Sequence, residues 1–292
     1  NVNIISRGVK DGIEKWASRL MPSLIILLIL LIFYVISLPG AMEGLRVYLI
    51  PDFSQLSDPA LLVDAMGQAF FSLSLGVGTM LIYGSYISDE ENLPVVGGLV
   101  ALLDIGIAVI AGLLILPAMY VAFSNGVEIF DSSGEFIAGP GLIVSVLPTL
   151  FETMGAVGII ISLAFFLLMT IASLTSSISM LEVPVSYAVE YHGICRKRAA
   201  IGIGTIVAFI SLLIILNFDT LFDQVVSVTT ELSQPLLGLA FCIFAAWIWR
   251  RDEVLKEIRK GNRNAENGIF WRIWPFYVKF ICPIAILIVY LQ

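Results

Sequence analysis

Of the chain's 292 residues, 59% are hydrophobic and 13% charged, against about 25% charged in a soluble domain. With a mean hydropathy of +0.97, this composition excludes a soluble enzyme or a nucleic-acid binder and points to an all-α integral membrane protein with the lipid bilayer as its solvent. The net charge of −7 says little by itself, because the charges are segregated by loop.

A bilayer span needs about 20 mostly apolar residues, and about seven such segments follow one another. They cover 20–38, 64–87, 94–123, 155–189, 198–217, 221–249 and 270–291. Basic residues orient them. Arg7, Lys10, Lys15 and Arg19 precede the first, and Arg196, Lys197 and Arg198 separate the fourth from the fifth. Arg250, Arg251, Lys256, Arg259, Lys260, Arg263 and Arg272 lie around the connection from the sixth to the seventh, whereas the opposite side carries only Arg46. Alternation then puts 1–19 and 250–269 in the cytoplasm and the C-terminus outside a cell membrane, within a single domain 1–292. The sequence opens on Asn1 with no signal-peptide pattern, so a chain whose beginning is missing is expected.

Two outside connections are long. Residues 39–63 hold Pro39, Pro51 and Pro59; residues 124–153 hold Gly-Pro-Gly at 139–141 and then an apolar run too short to span, which reads as a re-entrant or surface helix. Such loops serve either as lids or as ordinary surface connections.

Inside the second span, Gly67–Gly78 reads GQAFFSLSLGVG. Glycine and serine are poor helix residues, and a helix break at membrane depth is tolerated only where it is buried in protein or faces a polar cavity. Two readings stay open: a break that frees oxygens for an ion, or a close helix–helix contact made by small residues. The third span holds Asp104; Asp64 and Glu182 are comparable but nearer a membrane surface. A carboxylate at depth needs a proton, a cation or a basic partner, and no lysine or arginine is placed to pair with Asp104 apart from Lys279 in the last span. In the fourth span Ala172, Thr175, Ser176 and Ser179 share one helical face. That face offers oxygens to a hard cation, or hydroxyls that bond their own helix. Together the three features supply an oxygen-rich environment for a small cation, with Phe70, Phe71, Val77 and Met180 as an apolar wall beside it. The lone histidine, His192, argues against an intramembrane enzyme. Cys195, Cys242 and Cys282 have neither pairing nor metal spacing and read as small apolar residues.

These residues carry a resemblance. GIEKWASRLMP (12–22), PDFSQL (51–56), GQAFFSLSLGVGTMLIYGSY (67–86), AGLLILP (111–117), GPGLIVSVLP (139–148) and LTSSISMLE (174–182) are similar to motifs of the neurotransmitter:sodium symporters, the sodium-dependent amino-acid transporters of LeuT-type fold. The resemblance implies an inverted-repeat bundle with one discontinuous helix here, this chain covering the family's fifth to eleventh helices. The preceding helices of the same transporter would then be a partner. It implies symport of an amino acid or related small zwitterion with two sodium ions, each site only partly present. By motif position Ser72 and Asp104 would bind one sodium; Ala172, Thr175 and Ser176 would bind the other. Phe71, Ser72, Ser74, Val77, Ser176 and Met180 would line the substrate pocket. Gln68 and Asp223, with Asp219 as the alternative acid, would form an external gate. Ser85, Tyr86, Glu182 and Glu190 would form an internal gate, to which an arginine upstream of this chain would pair. Ala108 stands where chloride-dependent members have serine, which implies chloride independence, and Val77 replaces a common aromatic. A sodium-dependent sensor of the same fold is the rival reading.

Overall fold

A computed structural model describes residues 2–51, 53, 59–130, 134, 136–137 and 139–290. Most of the 51–56 motif, and the side chains of Asp64 and Asp219, therefore lie outside the described residues. The elements in chain order are helical: α1 Lys15–Ile36, α2 Ala41–Leu49, α3 Pro59–Ser72, α4 Thr79–Ser85, α5 Leu93–Ser124, α6 Leu147–Thr153, α7 Gly155–Glu190, α8 Arg196–Leu216, α9 Phe218–Val226, α10 Gln234–Ile243, α11 Arg251–Gly261, α12 Ile269–Phe276 and α13 Cys282–Tyr290. π-Helical stretches at Ser227–Ser233 and Phe244–Ile248 prolong α9 and α10 into one rod, and Tyr277–Ile281 joins α12 to α13. Among the described residues, six helices are long and apolar enough to cross a membrane: Gly12–Ile36, Leu93–Ser124, Gly155–Glu190, Arg196–Leu216, Thr220–Ile248 and Ile269–Ile288. The remaining expected span, 64–87, is the one interrupted between α3 and α4.

The chain divides into two compact units. One comprises residues 9–53 and 105–177. Its core begins with a stripe on α1, Leu24, Leu28, Leu31, Ile32 and Val35, at helical spacing. This stripe packs with Leu114, Ala118, Met119 and Val121 of α5 and with Leu147, Leu150 and Phe151 of α6. The apolar run after 139–141 is thus a short helix with a buried face. The other face of α1, with Ile26, Leu30 and Phe33, stays exposed, as a lipid-facing surface requires. Within the 39–63 connection, Gly40 opens α2 at φ 89°. Gly44 then lets α2 lie against α5, where any Cβ would stand 2.5 Å from the Leu116 carbonyl oxygen.

The second unit comprises 1–8, 54–104 and 178–292. Here α10 packs along α13, and α3 packs on both. Phe70 of α3 presses on Gly238 of α10, where a Cβ would lie 2.7 Å from the ring. The charged stretch at 251–261 is an amphipathic helix, α11. It has Asp252 and Glu253 in its first turn and Arg259 and Lys260 in its last, each complementing the helix dipole, with Val254 and Ile258 buried. Lys260 bonds Glu257 at 2.8 Å and Asp89 at 3.0 Å, and those two carboxylates raise its pKa. Asp89 belongs to the connection after the second span and Lys260 to the 250–269 connection. The pair ties these two connections together.

The α2–α5 contact yields a prediction. Gly44→Leu is expected to destabilise by about 1–3 kcal/mol through overpacking, whereas Gly106→Leu, whose Cβ meets open space, should change little. Thermal unfolding of both variants in detergent measures this, and equal losses would contradict the close approach.

Candidate functional site

The break is confined to 73–78, between α3 and α4. The end of α3 is closed by a left-handed turn: Ser74 N–H donates to the Phe71 carbonyl at 3.0 Å and Leu75 N–H to the Phe70 carbonyl at 3.0 Å. This pairing is the Schellman pattern, which needs a positive φ at its centre. Ser74 has φ 52°, and among the described residues it is the one non-glycine there. Gly76 and Gly78 follow at φ 81° and 87°. Gly76 is buried, and its Cα faces the Gln234 carbonyl of α10, so that any Cβ would collide with that backbone. The helix is thus broken, and the close contact made by a small residue is realised at Gly76.

At the break the Ser72 hydroxyl donates to Asp104, 2.8 Å from each carboxylate oxygen. Asp104 is half-buried, and no ion pair reaches it among the described residues. Lys279, the one basic residue the sequence offered it, lies instead over the Trp247 ring at 4.6 Å. A carboxylate and a hydroxyl meet at a helix break, and among the described residues no cation pairs with them. Most hydroxyls in the spans behave differently and return to their own helix: Thr170 to Phe166, Ser177 to Ser173 and Thr205 to Ile201.

On α7 Thr175 is buried, and its hydroxyl donates to the Ala172 carbonyl at 2.8 Å and to that of Ile171 at 3.2 Å. Ser176 is exposed on the same turn. One turn on, Ser179 accepts from the Tyr83 hydroxyl at 2.9 Å and so belongs to the packing of α4. Phe71 and Met180 are exposed, while Ser74 and Val77 are half-buried. Thr79, buried in the first turn of α4, has a hydroxyl oxygen without a partner among the described residues; the sequence gave no reason to single it out.

At the other end of α4 stands a buried polar network. Glu182 of α7 is 0% exposed. Its carboxylate accepts from Tyr86 at 2.7 Å, from Ser186 at 2.9 Å and from Arg196 Nη2 at 2.6 Å on both oxygens. Arg196 Nε also donates to the Ile5 carbonyl at 2.9 Å. Three chain segments therefore meet at one carboxylate, and Arg196 ties a fourth, the N-terminal one, to them through Ile5. Where the resemblance called for an arginine upstream of the chain, Arg196 at the start of α8 engages Glu182. Neither Arg196 nor Ser186 was among the sequence-derived site residues. The available signals were the i, i+4 spacing of Glu182 and Ser186 and the basic cluster that follows the span. Ser85 turns back to the Ile82 carbonyl at 2.7 Å. Glu190, Gln68 and Asp223 are exposed, and the structure does not draw any of these four into the network.

The sequence model of the Sodium:neurotransmitter symporter family matches residues 2–292. The chain is 34% identical to an uncharacterized sodium-dependent transporter of Haemophilus influenzae, over 100% of this chain and 63% of that protein. It is 32% identical to the Bacillus subtilis protein named uncharacterized sodium-dependent transporter YhdH, over 100% of this chain and 64% of that one. A solved structure of MhsT in complex with L-phenylalanine superposes with a TM-score of 0.82 at 38% identity, covering 99% of this chain and 65% of that one. The chain thus spans less than two thirds of the length of these relatives.

The Glu182 network predicts a strong coupling. Arg196→Ala leaves a buried carboxylate without its cation and is expected to cost about 3–5 kcal/mol, of which Glu182→Gln in the same protein should recover a large part. A double-mutant cycle by thermal unfolding measures the coupling, and additive losses would show that Arg196 does not hold Glu182.

Proposed function

The chain belongs to the Sodium:neurotransmitter symporter family, and on that premise we propose that its protein is a sodium-coupled symporter of an amino acid or related small zwitterion. The observation that carries this reading is the Ser72–Asp104 pair at the helix break, an anionic oxygen cluster without a basic partner among the described residues. Sodium is here a co-transported substrate. In this reading one ion sits with Ser72 and Asp104, the carboxylate supplying the charge and the hydroxyl turning its lone pairs to the cation. The second ion is held by the Ala172 carbonyl and the Thr175 and Ser176 hydroxyls. The broken helix supplies oxygens that an intact helix would keep in its own ladder.

Phe71, Val77 and Met180 would form the apolar wall for the transported molecule, with Ser72 and Ser74 as its polar contacts. The L-phenylalanine bound to MhsT supports an amino-acid substrate. Tyr86, Glu182 and Arg196 would close the cytoplasmic side, with Gln68 and Asp223 toward the outside and residues 1–19 and 250–269 in the cytoplasm. Asp104 would also supply the negative charge that makes chloride unnecessary beside Ala108. Coupling follows if sodium and substrate each bind the two access states unequally.

Uptake of radiolabelled amino acids into proteoliposomes containing the intact protein tests this. A sodium gradient should drive accumulation, and Asp104→Ala and Ser176→Ala should each reduce it to the level seen without sodium. Unchanged sodium-driven uptake in both variants would overturn the ion-site assignment, and no sodium dependence in the unaltered protein would overturn the symport reading.

A further inference from the structure

A cavity lies away from the helix break, where the end of the sixth span and the start of the seventh meet α11. It has a volume of about 230 Å³ and is lined by Trp249, Arg251, Trp271, Trp274, Pro275 and Lys279, among others. The Arg251 guanidinium lies 5.4 Å from the centre of the Trp271 ring, and the Lys279 ammonium 4.6 Å from that of Trp247. Neither cation is hydrogen-bonded or ion-paired among the described residues.

Lys279 falls within the apolar segment Ile269–Ile288, where an ammonium without an anion is costly and a ring face offsets only part of that cost. Two cations and three indoles therefore surround a small space that lacks negative charge. Tryptophan collects at the headgroup level of a bilayer. Beside the cavity Phe244, Trp247, Phe276 and Phe280 are exposed, the last three joined by ring contacts. We propose that this cavity binds the phosphate-bearing headgroup of an anionic phospholipid, with Arg251 and Lys279 on the phosphate. The acyl chains would lie along the exposed aromatic surface. The cavity is too small for a whole lipid, and the aromatic strip continues it into hydrocarbon. A membrane lipid is thus a better occupant than free phosphate. This inference needs only that the chain crosses the membrane; it is independent of what the protein transports.

Native mass spectrometry of the intact protein, released from nanodiscs of equal phosphatidylglycerol and phosphatidylcholine, tests the proposal. Retention of one phosphatidylglycerol per protomer is expected. In an Arg251→Gln/Lys279→Gln double variant its preference over phosphatidylcholine should fall about thirtyfold, the effect of two basic residues near a membrane surface. The charge-keeping Arg251→Lys/Lys279→Arg variant should retain the lipid, which separates loss of charge from misfolding. Undiminished preference in the glutamine variant, or equal loss in both variants, would overturn the proposal. Complete displacement by millimolar inorganic phosphate would overturn the lipid as occupant.

Discussion

The rest of the structure depends on one constraint: in hydrocarbon, a backbone that leaves the helix must find partners for its own N–H and C=O groups. Between Ser72 and Thr79 the chain does so locally. Ser74 and Leu75 return their N–H groups to Phe71 and Phe70, which ends α3 without leaving those carbonyls bare. The turn holds a serine in a left-handed conformation that costs a non-glycine residue about 1–2 kcal/mol. It also fixes where the last turn of α3 points its side chains, and so puts the Ser72 hydroxyl on Asp104. A glycine at 74 would relieve the backbone at no obvious loss of closure. The serine there stores strain at the place where the helix opens, a pattern common at functional sites.

Much of this was legible in the sequence, and the reasons differ by feature. The spans and their alternation follow from hydrophobic length and basic loops, which act at long range and need no side-chain geometry. The break was legible because glycine and serine are dense within it. Whether it served packing or an ion was not, since both depend on what lies opposite, and Gln234 is far away in the chain. The partner of Glu182 was hidden for a related reason. Arg196 belongs to a basic cluster that reads as a topology signal, and nothing in its spacing shows that it turns inward while Lys197 and Arg198 stay exposed. The packing of α10 along α13 was likewise invisible, because no local periodicity records it. Lys279 was correctly picked out as a charge at depth, but the sequence could not supply the indole ring it faces.

Hydroxyl groups in the spans thus divide by what they reach. Those that return to their own helix carbonyls stabilise the element that carries them and leave it free of its neighbours. Ser72, Tyr83, Tyr86 and Ser186 reach side chains, and three of these four join α4 to α7 or brace that junction. In an apolar medium, where lipid offers no competing partner, such bonds give orientation that hydrophobic contact alone does not.

Tyr83 on Ser179 and Tyr86 on Glu182 form two rungs, set three residues apart on both helices and running in the same chain direction. Two rungs with equal spacing act as a vernier. A slide of α4 along α7 by one residue aligns neither tyrosine, and a slide by a full turn carries Tyr83 toward the carboxylate and leaves Tyr86 beyond it. A rotation of α4 about its axis withdraws both rings together. The short half-helix is therefore keyed to α7 in both depth and azimuth, so the only low-cost freedom left to it is to travel with α7, and relative motion must be taken up in the six unwound residues that precede it.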